Sequence, residues 1–303
     1  MERAITTRLA IVGAIALGAC STVLGLEDHE AYPKDAAGVD SSLDAAPDQS
    51  LDAPTDTPSE SASDAASDVV DATSDDGPPP PRVNSDIVVL YTFDEGSGNT
   101  VKDVSGNGTP LDLKIKDLFL TEWHPGYLKI KSSTIVASAT PATKIYNACT
   151  ASEEITVEAW VTPASTTQIG PARIVTFSPN TNERNFTLAQ DNDQYFMRLR
   201  TSVTTSNGEP PVLTLPGTLT TELTHVLYTR AKDATATIYL NGTIQGTGKV
   251  VGNLSPWVDT NKLGLANEHT LDRVWFGDLH LVAVYSRALT KEEAIQNFQA
   301  GAD

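Results

Sequence analysis

Side chains with oxygen atoms recur at alternate positions in one short stretch of the sequence: Asp103, Ser105 and Asn107. This spacing resembles the opening of a calcium-binding loop, and Asp94 is a candidate for a further Ca²⁺ ligand. The stretch is not an EF-hand, because its twelfth position is Lys114 rather than a bidentate glutamate. A turn in which Asp103 caps backbone amides accounts for the same residues without a metal ion. A Ca²⁺ site and a simple turn are therefore both open.

Arginine and tryptophan side chains offer a second kind of chemistry, the recognition of sugars or carboxylates. Between Gln194 and Arg200, apolar side chains alternate with others: Tyr195, Met197 and Leu199 against Phe196, Arg198 and Arg200. One face of this strand is expected to join the core, while Arg198 and Arg200 bind ligand or lie on a solvated face. Trp257 and Trp275 lie in loop-like or strand-end contexts, where an indole either stacks on a sugar or packs in the core.

The other residue types that support catalysis lack the neighbours that catalysis requires. Glu154 and Glu158 lie on one side of a predicted strand, but strand rise separates them by about 13 Å, too far for a retaining carboxylate pair. Cys149 has no nearby base or metal ligand in the sequence, so we expect a buried, inert thiol. Four histidines have no spacing that indicates a zinc site: His124, His225, His269 and His280.

The N-terminus has the features of an export signal that ends in a cysteine. Two arginines accompany the apolar run Leu9 to Leu17, which is too short to span a bilayer. Leu17-Gly18-Ala19-Cys20 resembles a bacterial lipobox, which predicts removal of residues 1–19 and acylation of Cys20. The lipid would anchor the protein to the bacterial envelope, and Ser21 is compatible with sorting to the outer membrane. An ordinary secretory signal with an incidental cysteine is the alternative.

Residues 20–86 are predicted to form an acidic, disordered tether. Sixteen acidic residues against two basic ones give residues 21–86 a net charge of −14, whereas residues 87–303 carry −5. An acid recurs at every fourth position from Asp40 to Asp68, but like charges at this spacing repel, and interspersed prolines interrupt a helix. An extended coil is therefore expected. A chain this acidic, without a basic cluster, is predicted not to bind nucleic acid.

Residues 87–303 have the pattern of an all-β domain. Seven short apolar or alternating runs are separated by turn signals, the first at Ile87–Phe93 and the last at Leu279–Tyr285. Asn241-Gly242 separates two apolar runs and predicts a type I′ hairpin. The pattern Thr290 to Glu293 is a capping box, which predicts a short C-terminal helix.

Five stretches of this region resemble bacterial laminin G-like domains in order and spacing: Tyr91–Gly98, Asp103–Gly108, Ile155–Val161, Ile238–Gly242 and Val284–Leu289. The resemblance covers essentially all of residues 87–303. It implies an all-β concanavalin A-like jelly-roll sandwich of two antiparallel sheets with a short C-terminal helix. Domains of this kind bind glycans or proteins, so the resemblance implies a glycan or an extracellular or envelope protein as partner.

Related sandwiches are glycosidases, so the resemblance also raises the question of catalysis. Glucanases with this fold carry Glu-x-Asp-x-x-Glu or a close variant on one strand, and the sequence has no such triad. A non-catalytic binding or adhesion module that recognises carbohydrate is the leading hypothesis. The alternative is a glycoside hydrolase or lyase with an unrecognised site.

The resemblance also bears on two histidines. His280 stands where many relatives carry an acid, and because imidazole is a poor ligand for a hard cation, this departure weighs against the Ca²⁺ site. His225 stands where these domains often carry a strand histidine, which implies a structural role.

Overall fold

The computed structural model describes residues 77–168 and 170–302. Cys20 and most of the predicted tether lie outside these residues. Within them the chain forms two antiparallel sheets of eight strands each, two α-helices and a short 3-10 helix at Leu118–Leu120. The fold is the all-β sandwich with a C-terminal helix that the sequence predicts. Neither α-helix of this part of the chain is long and apolar enough to cross a membrane.

The first sheet, called sheet A, contains the longest strands of the domain. Its members are β1 Ile87–Tyr91, β4 Thr121–His124, β5 Tyr127–Ile130, β7 Ile155–Pro163, β12 Thr224–Arg230, β13 Thr235–Leu240, β14 Thr243–Lys249 and β16 Gly277–Tyr285. Their order is β14-β13-β12-β7-β16-β5-β4, and β1 also pairs with β16. Several neighbouring strands of sheet A are not consecutive in the chain and are joined by crossovers. Sheet A therefore combines strands from both ends of the domain.

The second sheet, called sheet B, packs against sheet A across the core. Its members are β2 Thr100–Val101, β3 Leu113–Ile115, β6 Val136–Ser138, β8 Ala172–Ser178, β9 Phe186–Asp191, β10 Gln194–Leu199, β11 Val212–Leu213 and β15 Lys262–Leu265. Their order is β11-β10-β9-β8-β15-β6-β3-β2. Each of the seven runs predicted from the sequence contains a strand of sheet A or sheet B.

Strand β10 shows how the two faces of sheet B divide. Tyr195, Met197 and Leu199 are buried in the core between the sheets, as their alternation predicts. Phe196 and Arg198 point to the opposite side, which we call the outer face of sheet B. The predicted alternation is therefore confirmed.

The hairpin between β13 and β14 follows the predicted geometry. Asn241 and Gly242 form its two-residue turn with φ of 49° and 74°. Both values are positive, as a type I′ turn requires. The turn packs near the C-terminal helix, since a Cβ on Gly242 would lie 3.3 Å from the ring of Phe298.

The sequence predicted one of the two α-helices and not the other. Helix α2, Lys291–Ala300, begins with the predicted capping box between Thr290 and Glu293. Helix α1, Thr143–Ser152, was not predicted. It has no side-chain hydrogen bond at its N-cap and buries only Ile145 and Cys149, so its sequence lacks both usual helix signals. Cys149 is fully buried, and burial raises the pKa of its thiol.

Helix α2 and the residues before β1 cover the outer face of sheet A. Val83 donates from its backbone amide to the Asn297 side chain at 2.8 Å, and Gln296 donates to the Pro81 carbonyl at 2.7 Å. The packed domain therefore begins at Pro81, six residues before the predicted boundary at residue 87. A small apolar cluster separate from the main core includes Val83, Ile87 and Leu289.

A fully buried carboxylate, Glu158 on β7, joins these elements. Its oxygens accept hydrogen bonds from His225 at 2.9 Å, Tyr285 at 3.0 Å and Asn297 at 2.9 Å. Arg82 forms an ion pair with it and also donates to the Gly301 carbonyl. Glu158 thus ties the start of the domain to its last helix, and His225 lies buried beside it as one of its partners.

The partners of Glu158 also determine its ionisation. Burial on its own would raise the pKa, but the hydrogen bond and charge of His225, together with Arg82, outweigh burial and lower the pKa to about 2. Because the unfolded value is near 4.5, the stabilisation is complete above that pH. It is lost as the pH falls towards 2.

We expect Glu158→Gln to lower the free energy of unfolding by about 3 kcal/mol near neutral pH, because Arg82 loses its carboxylate partner. The variant should also lose less stability than the wild type between pH 5 and 3, in proportion to the missing titration. Urea unfolding followed by tryptophan fluorescence measures both effects. Glu222→Gln removes an exposed carboxylate as a control. An identical pH dependence in wild type and Glu158→Gln would contradict the assignment.

Candidate functional site

The outer face of sheet B is polar, yet much of it is buried. Arg173, Thr176 and Ser178 of β8 and Thr187 of β9 are each fully buried. They point away from the core, because their neighbours Phe177 and Phe186 belong to it. Buried polar groups need hydrogen-bond partners, so this face requires an internal network.

A chain of hydrogen bonds supplies that network. Thr176 Oγ1 lies 2.8 Å from Thr187 Oγ1 and 2.7 Å from Ser178 Oγ. Ser178 donates to Glu268 at 2.5 Å, and Arg173 Nε donates to the other oxygen of Glu268 at 3.2 Å. The hydroxyls therefore connect β9 to a buried carboxylate–guanidinium pair.

Arg184 adds a second buried guanidinium to the same network. Its Nη1 donates to Thr187 Oγ1 at 3.0 Å and its Nη2 to the Thr181 carbonyl at 2.5 Å. It forms no ion pair among the described residues. Arg198 also lies on this face and pairs with Glu209 at 2.9 Å. We refer to Arg173, Arg184 and Arg198 as the arginine cluster.

The arginine cluster is electrostatically strained. Burial, together with the nearby charge of Arg173, lowers the pKa of Arg184 to about 9. Burial lowers the pKa of Arg173 to about 10 despite the opposing effect of Glu268. Both remain protonated near neutral pH, so the outer face of sheet B retains buried positive charge.

An open cavity of about 300 Å³ lies at the end of the hydroxyl chain. We call it the Ser178 cavity; its lining residues are Ser178, Pro179, Thr260, Asn261, Lys262 and His269. The lining combines hydroxyl, amide, ammonium and imidazole groups with the ring of a proline. Its volume is at the lower end of the range of ligand pockets.

Asn185 positions one wall of this cavity. Its side chain donates to the Val258 carbonyl and accepts from the Val258 amide, both at 2.9 Å. It also accepts from Asn261 Nδ2 at 3.2 Å. These bonds hold the loop that carries Thr260 and Asn261 in one conformation. A wall held in this way is preorganised for a ligand.

His269 contributes a neutral ring to the cavity. Burial lowers the pKa of its imidazole, which is therefore neutral near pH 7. Its Nε2 lies 3.2 Å from the Lys262 carbonyl, which can only accept, so Nε2 carries the proton and Nδ1 is an acceptor. The ring does not contact Ser178 in any hydrogen bond of the described residues. The Ser178 hydroxyl donates to Glu268, so the pair lacks the serine–histidine geometry of a nucleophile.

The predicted ligand-binding arginines occupy different positions. Arg198 lies on the outer face of sheet B, where its guanidinium sits 5.4 Å from the ring centre of Phe196. Arg200 is half-buried and follows the end of β10, with its backbone bonded to Asn185 and to Trp257. Arg198 therefore belongs to the arginine cluster, and Arg200 does not.

Trp257 and Trp275 are not available for stacking on a sugar. Trp275 is fully buried and donates to Gln190 at 3.0 Å, while Trp257 packs edge-on against Phe177 with ring centres 5.7 Å apart. Both indoles belong to the main core. The interpretation of these residues as ligand contacts is wrong, because both rings are buried in the core and present no free face to a sugar.

The stretch proposed for calcium forms a turn around Asp103. Backbone amides of Leu90, Ser105 and Leu111 donate to the Asp103 carboxylate at 3.0–3.2 Å. Ser105 and Asn107 donate through their side chains to carbonyls of β1, at 3.2 and 2.6 Å. These side chains are used as donors within the fold rather than as cation ligands.

The ammonium of Lys144, from helix α1, lies where a cation would have to bind. It donates to Asp103 at 2.7 Å and to the Asn107 carbonyl at 2.6 Å. Burial raises the pKa of Asp103, but the bonds from Lys144 and the Leu111 and Ser105 amides outweigh it and the pKa falls below its ordinary value. Asp94 is exposed. The residues of this stretch do not fit a Ca²⁺ site in this conformation.

The residues that sequence reasoning missed are those whose partners are distant in the chain. Glu268 contacts Ser178, ninety residues away, and no local spacing marks either residue. Arg184 and Asn185 lie in a polar loop with the composition of an ordinary turn. The one local signal was the polarity of Thr176 and Ser178 at alternate positions of β8, whereas Arg173 reaches the same face through a register shift between Arg173 and Val175.

Comparison with known proteins identifies the superfamily of the domain. A family model described as the concanavalin A-like lectin/glucanases superfamily matches residues 137–295, just over half of the chain. The chain belongs to this superfamily. The matched region includes the Ser178 cavity and the arginine cluster. No curated protein sequence matches the chain significantly.

Solved structures support the same superfamily fold at low identity. The botulinum neurotoxin serotype C1 binding domain has 15% identity and a TM-score of 0.52, with 71% of this chain and 52% of that chain covered. A structure of botulinum neurotoxin type C, described as depending on two ganglioside molecules for cell entry, has 14% identity and a TM-score of 0.53, with coverage of 72% and 52%. A Trypanosoma rangeli sialidase has 16% identity and a TM-score of 0.51, with coverage of 73% and 36%. The chain therefore spans about half the length of the two toxin structures and 36% of the sialidase.

We expect millimolar calcium to leave the melting temperature of the protein unchanged relative to chelator, because Lys144 already neutralises Asp103. Lys144→Met should lower the free energy of unfolding by about 2 kcal/mol, the value of a charged hydrogen bond lost from a buried acceptor. Lys249→Met, which removes an exposed ion pair with Asp233, should have little effect. A calcium-dependent rise in the melting temperature of the wild type would show that the metal competes with Lys144.

Proposed function

We propose that this domain is a non-catalytic binding module that recognises carbohydrate at the Ser178 cavity. The observation that carries the proposal is the set of accessible groups in the cavity lining: the Thr260 hydroxyl, the Lys262 ammonium and the Pro179 ring are exposed, and the His269 imidazole is half-buried. A sugar presents hydroxyls that both donate and accept, above an apolar ring face. The lining offers partners of each kind.

The position of the cavity supports a binding role. Its base is Ser178, held by Thr176 and Glu268, and its wall is held by Asn185. Groups fixed by the protein lose little freedom when a ligand binds, which favours affinity from a small site.

The same composition argues against hydrolysis as the primary activity. Glycoside hydrolysis requires two carboxyl groups on either side of the scissile bond. The lining residues of the cavity include no aspartate or glutamate, and Glu268 behind Ser178 is fully buried. A glycan or an envelope or extracellular protein therefore remains as the class of partner, and the polar lining favours the glycan.

The proposed role includes attachment to the cell envelope. Acylation of Cys20 would anchor the chain, with the domain in the periplasm or at the cell surface, and Ser21 is compatible with sorting to the outer membrane. A flexible acidic tether of this length would span roughly 45 Å, which separates the domain from the membrane.

A bulky side chain that fills the Ser178 cavity should weaken glycan binding. We expect Thr260→Trp to fill the cavity and to weaken binding to any glycan identified on an array by tenfold or more, since Thr260 is exposed at its rim. Thr243→Trp, at an exposed position of β14 in the other sheet, is the matched control. If Thr260→Trp bound the same glycans with wild-type affinity, the cavity would not be the site. An absence of any glycan response in the wild type would favour a protein partner.

Replacement of Cys20 tests the anchor independently of the ligand. Cys20→Ser should move the protein from the membrane fraction to the soluble fraction of lysed cells, because no acyl chain can then be attached. Cys149→Ala is the control: it removes the other cysteine, leaves Cys20 in place and should remain with membranes. Retention of Cys20→Ser in the membrane fraction would contradict lipidation at this residue.

A further inference from the structure

The outer face of sheet B buries more positive than negative charge. Three guanidiniums, those of the arginine cluster, are opposed by two carboxylates, Glu268 and Glu209. Lys262 adds a further positive charge at the rim of the Ser178 cavity. This excess lies in a chain whose net charge is −18. An uncompensated buried charge is costly, so a ligand that supplies the missing negative charge would be favoured.

Unmade hydrogen bonds point to the same deficit. Arg173 Nη2, Arg184 Nε and Arg198 Nε are buried, and none has a hydrogen-bond partner among the described residues. Arg173 and Arg184 are themselves fully buried. By contrast, buried Arg230 in sheet A directs its three nitrogens at carbonyls of Val250, Glu153 and Gly252. Among the buried arginines of the described residues, those of the arginine cluster are the ones with an unpaired guanidinium nitrogen.

Glu209 has the properties of a replaceable partner. Its side chain is 43% exposed, whereas that of Arg198 is 18% exposed. It lies on a connecting loop and is held by Arg198 and by Asn207 Nδ2 at 2.9 Å. A carboxylate of a ligand could take its place against Arg198 without unfolding the core, because a half-exposed ion pair contributes little to stability.

We propose that the arginine cluster binds an anionic group, a carboxylate or a sulfate ester, of an oligosaccharide whose neutral part occupies the Ser178 cavity, and that Glu209 fills this position when no ligand is bound. The proposal rests on the glycan-binding function above and specifies the class of its ligand. Guanidiniums suit this role, because their fixed fork of donors matches carboxylate and sulfate oxygens.

The separation of the two positions sets the size of the ligand. Arg198 on β10 and Lys262 on β15 are three strand spacings apart, roughly 14 Å at the usual inter-strand distance. One sugar ring cannot reach both positions. The ligand is therefore an acidic oligosaccharide rather than a monosaccharide.

The test uses the full-length protein on an array that carries uronate, sulfated and neutral oligosaccharides. Hits are then compared with their carboxyl-methylated or desulfated forms, which separates a carboxylate from a sulfate as the anionic group. We expect acidic oligosaccharides to bind, and we expect esterification or desulfation to weaken binding about tenfold or more. Affinity should also fall with rising salt.

Three variants locate the effect. Arg198→Gln should weaken binding of the acidic hit about tenfold while leaving its neutralised form unaffected. Glu209→Gln should strengthen binding of the acidic hit several-fold, because the competing carboxylate is removed. Lys249→Gln removes one positive charge from β14 and serves as the charge-matched control. Circular dichroism melting confirms that each variant is folded.

The outcomes separate this proposal from the one on which it depends. Binding of neutral oligosaccharides, or of acidic ones regardless of esterification and of Arg198→Gln, overturns the anionic site but keeps glycan binding. Binding of polyglutamate with no glycan response replaces the acidic glycan by an acidic protein. No binding of any oligosaccharide overturns both proposals.

Discussion

Glu268 is a single carboxylate shared by the Ser178 hydroxyl, the Arg173 guanidinium and the backbone amide of His269, and the outer face of sheet B is organised around it. Because one oxygen binds Ser178, the hydroxyl chain through Thr176 and Thr187 has a fixed direction at its end. The other oxygen accepts from Arg173, while Arg184 donates to Thr187 and to the Thr181 carbonyl and forms no ion pair among the described residues. The contacts of Glu268 thus hold Ser178 at the base of the Ser178 cavity. The arginine cluster keeps more positive than negative charge, because Glu268 pairs with Arg173 alone.

The outer face of sheet A shows what a balanced network looks like in the same domain. Glu158 faces Arg82 and His225 and receives further bonds from Tyr285 and Asn297, and helix α2 closes over it. Its carboxylate is paired with Arg82, and its position is sealed by both ends of the domain. The network on sheet B has donors left over and lies next to an open cavity. Paired and sealed charges stabilise a fold, while unmatched charges beside a cavity suit a ligand, which is the division of roles that we propose for the two faces.

Sequence reasoning succeeded where structure is determined within a few residues. The alternation in β10, the positive φ values at Asn241 and Gly242, and the capping box of α2 are all local. It failed for α1, which has two buried positions and no capping side chain, and for the tryptophans, because burial depends on which loops cover them. The candidate site was visible only through Arg198. Glu268, Ser178 and Asn185 meet through pairings across the fold, and a single sequence contains no signal for such pairings.

Lys144 shows how the missed helix changes the chemistry predicted for the Asp103 turn. The Asp103 carboxylate and the backbone carbonyl of Asn107 both accept from a cation, the ammonium that α1 supplies. The Lys144 ammonium is part of the chain, so unlike a bound metal ion it does not depend on the concentration of a ligand. The turn therefore has its cation whenever α1 is packed. Cys149 lies in the same helix, fully buried and without a disulfide. The turn and the helix therefore stabilise each other through Lys144, and Asp103 extends the contact to β1 by accepting from the Leu90 amide.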